Sequence, residues 1–259
     1  MRALKLAAFT AVPLALALSG APLGGCGAPP KTPAVDAGFD AGVGDLEAYF
    51  AIQKGRCFEY TTSDSKQAVA DLGMAVEKLD TTQFPVQTHV MVYRQGFVRL
   101  TDYLAIDGAN LVLYKRDFFG GKSVKFTPPV TVLRAPIKGG DKLETVTTAQ
   151  VRDETGKILD EKEITVRVDV LDPVDLNTPV KNPIKASKVI TTDPSLSRSE
   201  TRAFVPGAGG ALTDPEGSVT IEFNFEKDDS KSKVLYKLQN VRSLGTDEQA
   251  RATPCGTAP

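Results

Sequence analysis

The folding pattern of this chain is clearest in QTHVMVYRQGFVRLTDYLAIDGANLVLYK, residues 87–115. The side chains of an extended chain point alternately to its two sides. Met91 and Tyr93 therefore fall on one side, while Val90 and Val92 fall on the other. An alternation of this kind predicts a β-strand at the start of the stretch.

Two dipeptides inside the same stretch favour reversals of the chain. Gln95-Gly96 leads into FVRLTDYL, and Asp107-Gly108 precedes NLVLYK. Glycine adopts the backbone conformations that tight turns need, and Asp-Gly between apolar runs is a hairpin signal. We therefore expect three consecutive strands joined by short turns.

Segments of the same character continue along the chain. They are short, rich in β-branched residues, and separated by Gly, Pro, Asn and Asp. The clearest are residues 143–151, 157–171, 185–192, 199–205, 218–226 and 233–241. The pattern predicts an all-β or β-rich fold, either an antiparallel sandwich or an open, curved barrel of about ten strands, with at most one short helix.

One segment, SKQAVADLGMAVEKL at residues 65–79, fits two structures. Leu72 and Val76 are four residues apart, as on one face of a helix. However, Leu72, Met74 and Val76 also alternate as in a strand, and Gly73 would destabilise a helix by about 1 kcal/mol. The balance favours a strand.

The composition is that of an ordinary globular protein. The 259 residues are 41% hydrophobic, enough for a core, and 24% charged. Lys and Arg number 31 against 32 Asp and Glu. Nucleic-acid-binding proteins carry a concentrated basic surface, so we expect no nucleic-acid partner.

Residues 1–25 have the layout of an export signal. Arg2 and Lys5 give a positive start, residues 6–18 form an apolar core, and small residues follow. An apolar helix of that length spans about 20 Å, less than the roughly 30 Å hydrocarbon core of a bilayer. These residues therefore predict a removed signal peptide rather than a stable membrane anchor.

The end of this leader resembles the lipobox of bacterial lipoproteins. Leu23-Gly24-Gly25-Cys26 matches its pattern of an aliphatic residue, two small residues and cysteine. The resemblance implies cleavage before Cys26 and attachment of diacylglycerol, with fatty acids such as palmitate, to its sulfur. The alternative is ordinary secretion, with cleavage near Ala21 and an unmodified Cys26.

The same resemblance implies a place in the cell. Two or more acyl chains anchor a protein stably to a membrane. Gly27 stands where inner-membrane lipoproteins of well-studied enterobacteria carry Asp, so the resemblance implies the outer membrane of a Gram-negative bacterium. Residues 26–45 follow as a lipidated cysteine and a tether rich in Ala, Pro, Gly and Asp, and residues 46–259 as a single β-rich domain with a C-terminal tail.

The domain begins with YFAIQKGRCFEY, residues 49–60, which resembles the opening Tyr-Phe-Pro-Leu-x-x-Gly-x-x-Trp-x-Tyr of a group of uncharacterised bacterial lipoproteins. The matching residues are Tyr49, Phe50, Gly55 and Tyr60, with Ile52 for Leu, Phe58 for Trp and Ala51 departing from Pro. Residues 128–145 and 202–214 resemble later parts of the group. This group has no established activity, so the resemblance implies architecture and no chemistry.

Export leaves two further cysteines in an oxidising compartment. Cys57 and Cys255 remain once Cys26 is assigned to lipid, and we expect them to form a disulfide. This bond would link the C-terminal tail to the first strand of the domain.

The residues that could carry catalysis form no recognisable motif. His89 is the single histidine, which leaves too few ligands for zinc. Residues 204–212 are Gly-rich but lack the Gly-Lys-Ser/Thr of a phosphate loop. Acidic residues such as Asp160, Glu161, Glu163 and the pair Asp228-Asp229 fit exposed strands and turns. We expect no cofactor and no metal.

The sequence thus favours a lipid-anchored envelope protein that is not an enzyme and acts as a binding or structural module. Its partners would be the membrane, through the N-terminal lipid, and an envelope protein or apolar ligand. One alternative is a carrier of an apolar ligand in a cavity of a curved sheet. The other is a hydrolase that uses two carboxylates.

Overall fold

The structure is a computed structural model. All the residues that it describes belong to one unit of the chain, residues 38–259. They are residues 46, 54–62, 72–95, 98–176, 184–193, 198–205, 217–227 and 230–243. The signal peptide and tether predicted at residues 1–25 and 26–45 lie outside the described residues.

The named elements are thirteen strands. They are β1 (Arg56–Thr62), β2 (Leu72–Asp80), β3 (Thr88–Gln95), β4 (Val98–Asp107), β5 (Asn110–Asp117), β6 (Ser123–Arg134), β7 (Lys142–Arg152), β8 (Ile158–Val170), β9 (Val174–Leu176), β10 (Ile184–Asp193), β11 (Arg198–Val205), β12 (Gly217–Lys227) and β13 (Ser230–Ser243). No described helix is long and apolar enough to cross a membrane.

The strands form one antiparallel sheet. Hydrogen-bonded neighbours follow the order β11-β12-β13-β1-β2-β3-β4-β5-β6-β7-β8-β10-β9. β10 also pairs with β11, so it joins β8 to β11. The prediction of a β-rich antiparallel fold is confirmed, and the single sheet corresponds to the predicted curved arrangement rather than to two separate sheets.

The hairpins predicted at residues 87–115 are present. β3 pairs with β4 from His89 opposite Leu104 to Gln95 opposite Val98. β4 continues into β5 through a turn in which Gly108 has a φ of +56°. A positive φ is readily adopted by glycine, so the Asp107-Gly108 signal marks the reversal correctly.

The ambiguous segment is a strand where the structure describes it. β2 begins at Leu72, and Leu72, Met74 and Val76 all point into the main core. Residues 65–71 lie outside the described residues. The alternating pattern therefore outweighs the helical spacing over residues 72–79.

The described residues form thirteen strands, whereas the sequence predicted about ten. Part of the difference arises because short or interrupted strands give weak sequence signals. β9 has only three residues. β6 contains Pro128 and Pro129, and its pairing with β7 ends at Thr127. Proline donates no backbone hydrogen bond. The carbonyl of Pro128 accepts a hydrogen bond from the Thr147 hydroxyl over 2.6 Å.

The main core lies on one face of this sheet. Among the described residues, buried apolar side chains from twelve strands join it, together with Leu46, Ala135 and Ile137, and Leu176 of β9 packs against it. Its largest fully buried members include Phe58, Tyr60, Met74 and Leu104. Burial of each large apolar side chain contributes about 1.5–3 kcal/mol, so this face supplies the main stabilisation of the fold.

Candidate functional site

The opposite face of β3 and β4 carries its own small apolar cluster. Val90, Val92 and Tyr103 are buried there beneath Phe84, which belongs to the connection between β2 and β3. The ring of Phe84 lies 5.7 Å from that of Tyr103 and 4.9 Å from that of Tyr114. We call this side of the sheet the outer face.

Tyr114 lies on this face, at a β-bulge in β5. The pairings of β5 with β4 and with β6 both shift next to Tyr114, between Leu113 and Lys115. A bulge inserts one extra residue and changes the direction of a side chain. Tyr114 follows Leu113 of the main core, so ordinary alternation already places it on the outer face, and the extra residue turns Arg116 to the core side.

Beside this cluster the outer face has an open cavity of about 400 Å³, which we call the outer groove. Small-molecule sites generally have volumes of about 300–1,000 Å³. The groove is formed by β2, β3, β4, β5 and the turn after β5. Its lining residues are Glu77, Lys78, Val90, Arg99, Thr101, Tyr103, Asp117, Phe118, Phe119 and Gly120.

Two arginines hold the carboxylate of Glu77 at one side of the groove. Glu77 accepts a hydrogen bond from Arg99 Nη2 over 2.9 Å and forms a second ion pair with Arg94. Arg99 keeps 53% of its side chain exposed, whereas Arg94 is mostly buried. One guanidinium at this side of the groove therefore remains accessible to a ligand.

The carboxylate at the opposite side is also engaged. Tyr103 donates its hydroxyl to Asp117 Oδ2 over 2.9 Å, and Lys115 Nζ lies 2.8 Å from Asp117 Oδ1. The Lys115 ammonium also lies 5.0 Å from the centre of the Tyr103 ring. Burial, followed by the hydrogen bond to Asp117, raises the pKa of Tyr103 to about 12. Tyr103 is therefore a neutral donor at physiological pH.

Phe118, Phe119 and Gly120 complete the wall next to Asp117. Phe119 is 65% exposed, the highest value among the exposed large apolar side chains of the described residues. Its turn is closed by a 2.8 Å hydrogen bond from Phe118 N to Lys122 O. An exposed aromatic ring held on a short turn is available to contact a ligand.

A second polar group of residues lies on the core side of the sheet. Asp102 and Arg116 are opposite each other on β4 and β5. Met91, opposite Asp102, belongs to the main core, and opposed residues share a face. Arg116 donates from Nε to Oδ1 over 2.5 Å and from Nη2 to Oδ2 over 2.7 Å.

The second half of this group comes from β11. Arg202 forms an ion pair with Glu200 and donates from Nη2 to the Tyr93 hydroxyl over 2.9 Å. Since Tyr93 lies on β3, this bond crosses between distant parts of the sheet order. We call Tyr93, Asp102, Arg116, Glu200 and Arg202 the buried ion-pair cluster.

Charge is balanced within this cluster. Burial lowers the pKa values of Arg116 and Arg202, but the neighbouring carboxylates raise them further, so both guanidinium groups stay charged. Burial raises the pKa of Tyr93 above its usual range. Two cations therefore face two anions and a neutral phenol, an arrangement that satisfies buried charges rather than one that transfers protons.

The predicted site residues are not brought together by the described structure. Cys57 is fully buried on β1 beside Ala75. Cys26 and Cys255 lie outside the described residues, so the lipid attachment and the disulfide remain predictions. His89 lies on β3 opposite Leu79 and Leu104.

The acidic and Gly-rich candidates give no site in the described regions. Asp160, Glu161 and Glu163 are exposed on β8. Asp228, Asp229 and residues 206–212 lie outside the described residues. Among the side chains that the structure describes, no three His, Cys, Asp or Glu residues could hold a metal ion together.

The residues of the outer groove were not predicted from the sequence. A signal does exist in FVRLTDYL, where Arg99, Thr101 and Tyr103 alternate with Leu100 and Leu104. That alternation places the three polar residues on one face, but it does not place Glu77 or Asp117 beside them.

The comparisons of this chain with protein-family models, curated proteins and solved structures find no match.

Proposed function

We propose that this chain is a lipid-anchored protein of the bacterial cell envelope that binds a ligand at the outer groove without catalysing a reaction. The observation that carries the binding proposal is the cavity of about 400 Å³ beside an ordered cluster of aromatic rings. The lipobox-like sequence ending at Cys26, followed by the tether, supports the anchored location.

The groove differs from the site that an apolar carrier would need. Its lining includes four charged residues, Glu77, Lys78, Arg99 and Asp117. Charged walls disfavour a wholly apolar ligand, because burying a charge without a partner is unfavourable. A ligand with both apolar and polar parts fits better than a purely apolar one.

The same residues argue against the hydrolase alternative. A carboxyl group that acts as a general acid or base must come within hydrogen-bond reach of the reacting atom of the substrate. Glu77 is paired with two arginines, and Asp117 with Lys115 and the Tyr103 hydroxyl. Both carboxylates are engaged by these partners, so both acids are suited to holding the walls of the groove.

Metabolic labelling tests the anchored location. We expect radioactive palmitate to label the wild-type chain in the expressing bacterium and not the Cys26→Ser variant, with the wild type in the outer-membrane fraction. Equal labelling of the two proteins would contradict lipid attachment at Cys26.

Nuclear magnetic resonance of the detergent-solubilised full chain tests the groove. The probes are benzoate, benzyl alcohol, benzylammonium and glucose, added separately to ¹⁵N-labelled protein. We expect at least one probe to shift the backbone amides of Thr101 and Tyr103 saturably, without shifting those of Val146 on β7. If no probe shifts the groove amides, the outer groove is not a binding site for small molecules of these classes.

A further inference from the structure

We propose that the ligand of the outer groove is a small organic anion, with an aromatic or otherwise flat apolar body and one carboxylate or similar acidic group. This inference rests on the proposed binding function and adds the chemical class of the ligand. It follows from the accessible cations of the groove and from the position of its exposed aromatic ring.

The charged lining of the groove is balanced, with Lys78 and Arg99 against Glu77 and Asp117. Arg94, Arg99 and Lys115 are the partners of the two acids. Lys78 takes no part in these ion pairs, and Asp80 is the acid that it influences. The groove therefore offers a lining cation beyond those that hold its acids, which favours an anion.

The acids near the groove have little capacity left for a cationic ligand. Both oxygens of Glu77 accept from arginines, and Asp117 Oδ2 accepts from Tyr103. Asp117 Oδ1 accepts no hydrogen bond among the described residues, but it lies 2.8 Å from the Lys115 ammonium. The carboxylate of Asp80 accepts from Thr82 and Gln83. A ligand ammonium group would have to compete with these partners.

The cations, in contrast, have accessible donors. The Arg99 side chain is 53% exposed, and Lys78 is exposed on β2. Hydrogen bonds between charged groups are roughly twice as strong as those between neutral ones. An acidic group placed between these two side chains would gain donors without breaking the ion pairs of Glu77.

Aromatic groups set the shape of the apolar part. Phe119 is exposed at one wall, and Tyr103 is buried at the floor. Aromatic rings prefer offset-stacked or edge-to-face contacts with centroids about 4.5–7 Å apart. A flat body between Phe119 and the floor of the groove would make such contacts, with its acidic group directed to Arg99 and Lys78.

Three matched probes test the class of ligand in the detergent-solubilised full chain. They share a naphthyl body and differ in charge: naphthoate, naphthamide and naphthylmethylammonium. We expect naphthoate to bind about tenfold more tightly than naphthamide, as one charge-assisted contact would give. Naphthylmethylammonium should bind most weakly. Dissociation constants come from the shifts of the Thr101 and Tyr103 amides.

Single substitutions separate the contact of Lys78 with the acidic group from the contact of Phe119 with the apolar body. Lys78→Gln should reduce the preference for naphthoate over naphthamide, whereas Phe119→Ala should weaken both probes by similar factors. Lys162→Gln and Val146→Ala are the matched controls, because both residues are exposed and lie outside the groove. Neither control should change binding.

The outcomes distinguish this inference from the proposed function. If naphthylmethylammonium binds at the groove as tightly as naphthoate, the anionic class is wrong and the binding function stands. If none of the three probes shifts the groove amides but glucose or benzyl alcohol does, the ligand class is wrong and the binding function stands. If no probe of either experiment shifts them while the protein remains folded, both proposals are overturned.

Discussion

Arg116 and Asp102 form a bidentate ion pair on the core side of the sheet, with N–O distances of 2.5 and 2.7 Å. Both side chains are buried, with 9% and 3% of their areas exposed. A buried ion pair contributes little net stability compared with apolar side chains of similar volume, but leaving one partner alone is strongly unfavourable. The pair therefore favours the one register of β4 and β5 in which Arg116 lies opposite Asp102.

Replacement of one partner should destabilise the fold. We expect Arg116→Met to lower the free energy of unfolding by about 3–5 kcal/mol, because Asp102 would remain buried and charged without its cation. The double variant Asp102→Leu/Arg116→Met should recover most of that loss. Urea denaturation followed by circular dichroism measures both values.

An exposed ion pair provides the control for this cycle. Arg167 Nε lies 2.8 Å from Glu144, and both side chains are more than half exposed. Arg167→Met should change the free energy of unfolding by less than about 1 kcal/mol. If Arg116→Met were no more destabilising than Arg167→Met, Asp102 would not be held in a buried pair.

Two neighbouring glycines should respond differently to substitution. Gly120 and Gly121 have φ angles of +88° and +80°, so alanine strains the backbone at either position. A Cβ at Gly121 would also lie 2.7 Å from Glu154 Cβ, whereas one at Gly120 would meet no atom within 4 Å. Gly121→Ala should therefore lower the melting temperature more than Gly120→Ala, as measured by thermal denaturation. Equal effects would contradict the close approach of the turn after β5 to the turn after β7.

The stability of the protein should fall in alkaline solution, partly through Tyr103. The pKa of Tyr103 is about 12 in the folded protein, compared with about 10 in an unfolded chain. A raised pKa means that the folded state holds the proton more tightly. The contribution of this group is therefore complete below pH 10 and is lost as the pH rises towards 12.

The Tyr103→Phe variant isolates that contribution. We expect its free energy of unfolding to decline less steeply than that of the wild type between about pH 10 and 12, while the two profiles run parallel below about pH 9. Denaturant titrations at each pH measure the difference. Identical slopes above pH 10 would show that the Tyr103 hydroxyl is not buried against Asp117.

The predicted disulfide is testable by peptide mapping. We expect non-reducing digestion of the exported protein to yield a linked peptide that contains Cys57 and Cys255. Cys255→Ser should lower the free energy of unfolding, by up to about 5 kcal/mol in the chain-entropy estimate for a loop of about 200 residues between Cys57 and Cys255. Ala75→Ser, next to Cys57 in the same small cluster, leaves all three cysteines in place and controls for a change of packing there. Two free thiols in the exported protein would refute the bond.

Local signals in the sequence were sufficient for the hairpins from β3 to β5. Alternation and turn-forming glycines act over a few residues, so they do not depend on the rest of the fold. β2 was ambiguous because its apolar residues fit two periods, and burial of Leu72, Met74 and Val76 in the main core resolves it. β9 was not predicted, since three residues carry too short a pattern.

For the buried ion-pair cluster, the sequence shows that a charged residue lies on an apolar face, but it does not show which residue pairs with it. Leu100, Asp102 and Leu104 are spaced two residues apart, so their side chains share one face of the strand. Asp102 is therefore a charged residue on an otherwise apolar face. Such a charge needs a partner, but alternation alone does not say which one. Arg116 becomes that partner through a register shift in β5: the pairing set by the turn at Gly108 would place Lys115 opposite Asp102, and the bulge at Tyr114 moves Arg116 there.

The amino-acid sequence alone was therefore enough to establish a strand-rich antiparallel fold and its first hairpins, because strand alternation and turn chemistry are local. It also carries the lipoprotein-like leader that motivates the proposed location. The outer groove emerges only from the assembled sheet. Glu77, Arg99 and Asp117 lie on three different strands, and pairing, a bulge in β2 and the turn after β5 bring them around one cavity. Distances between residues far apart in the chain depend on register, and no short sequence pattern specifies register by itself.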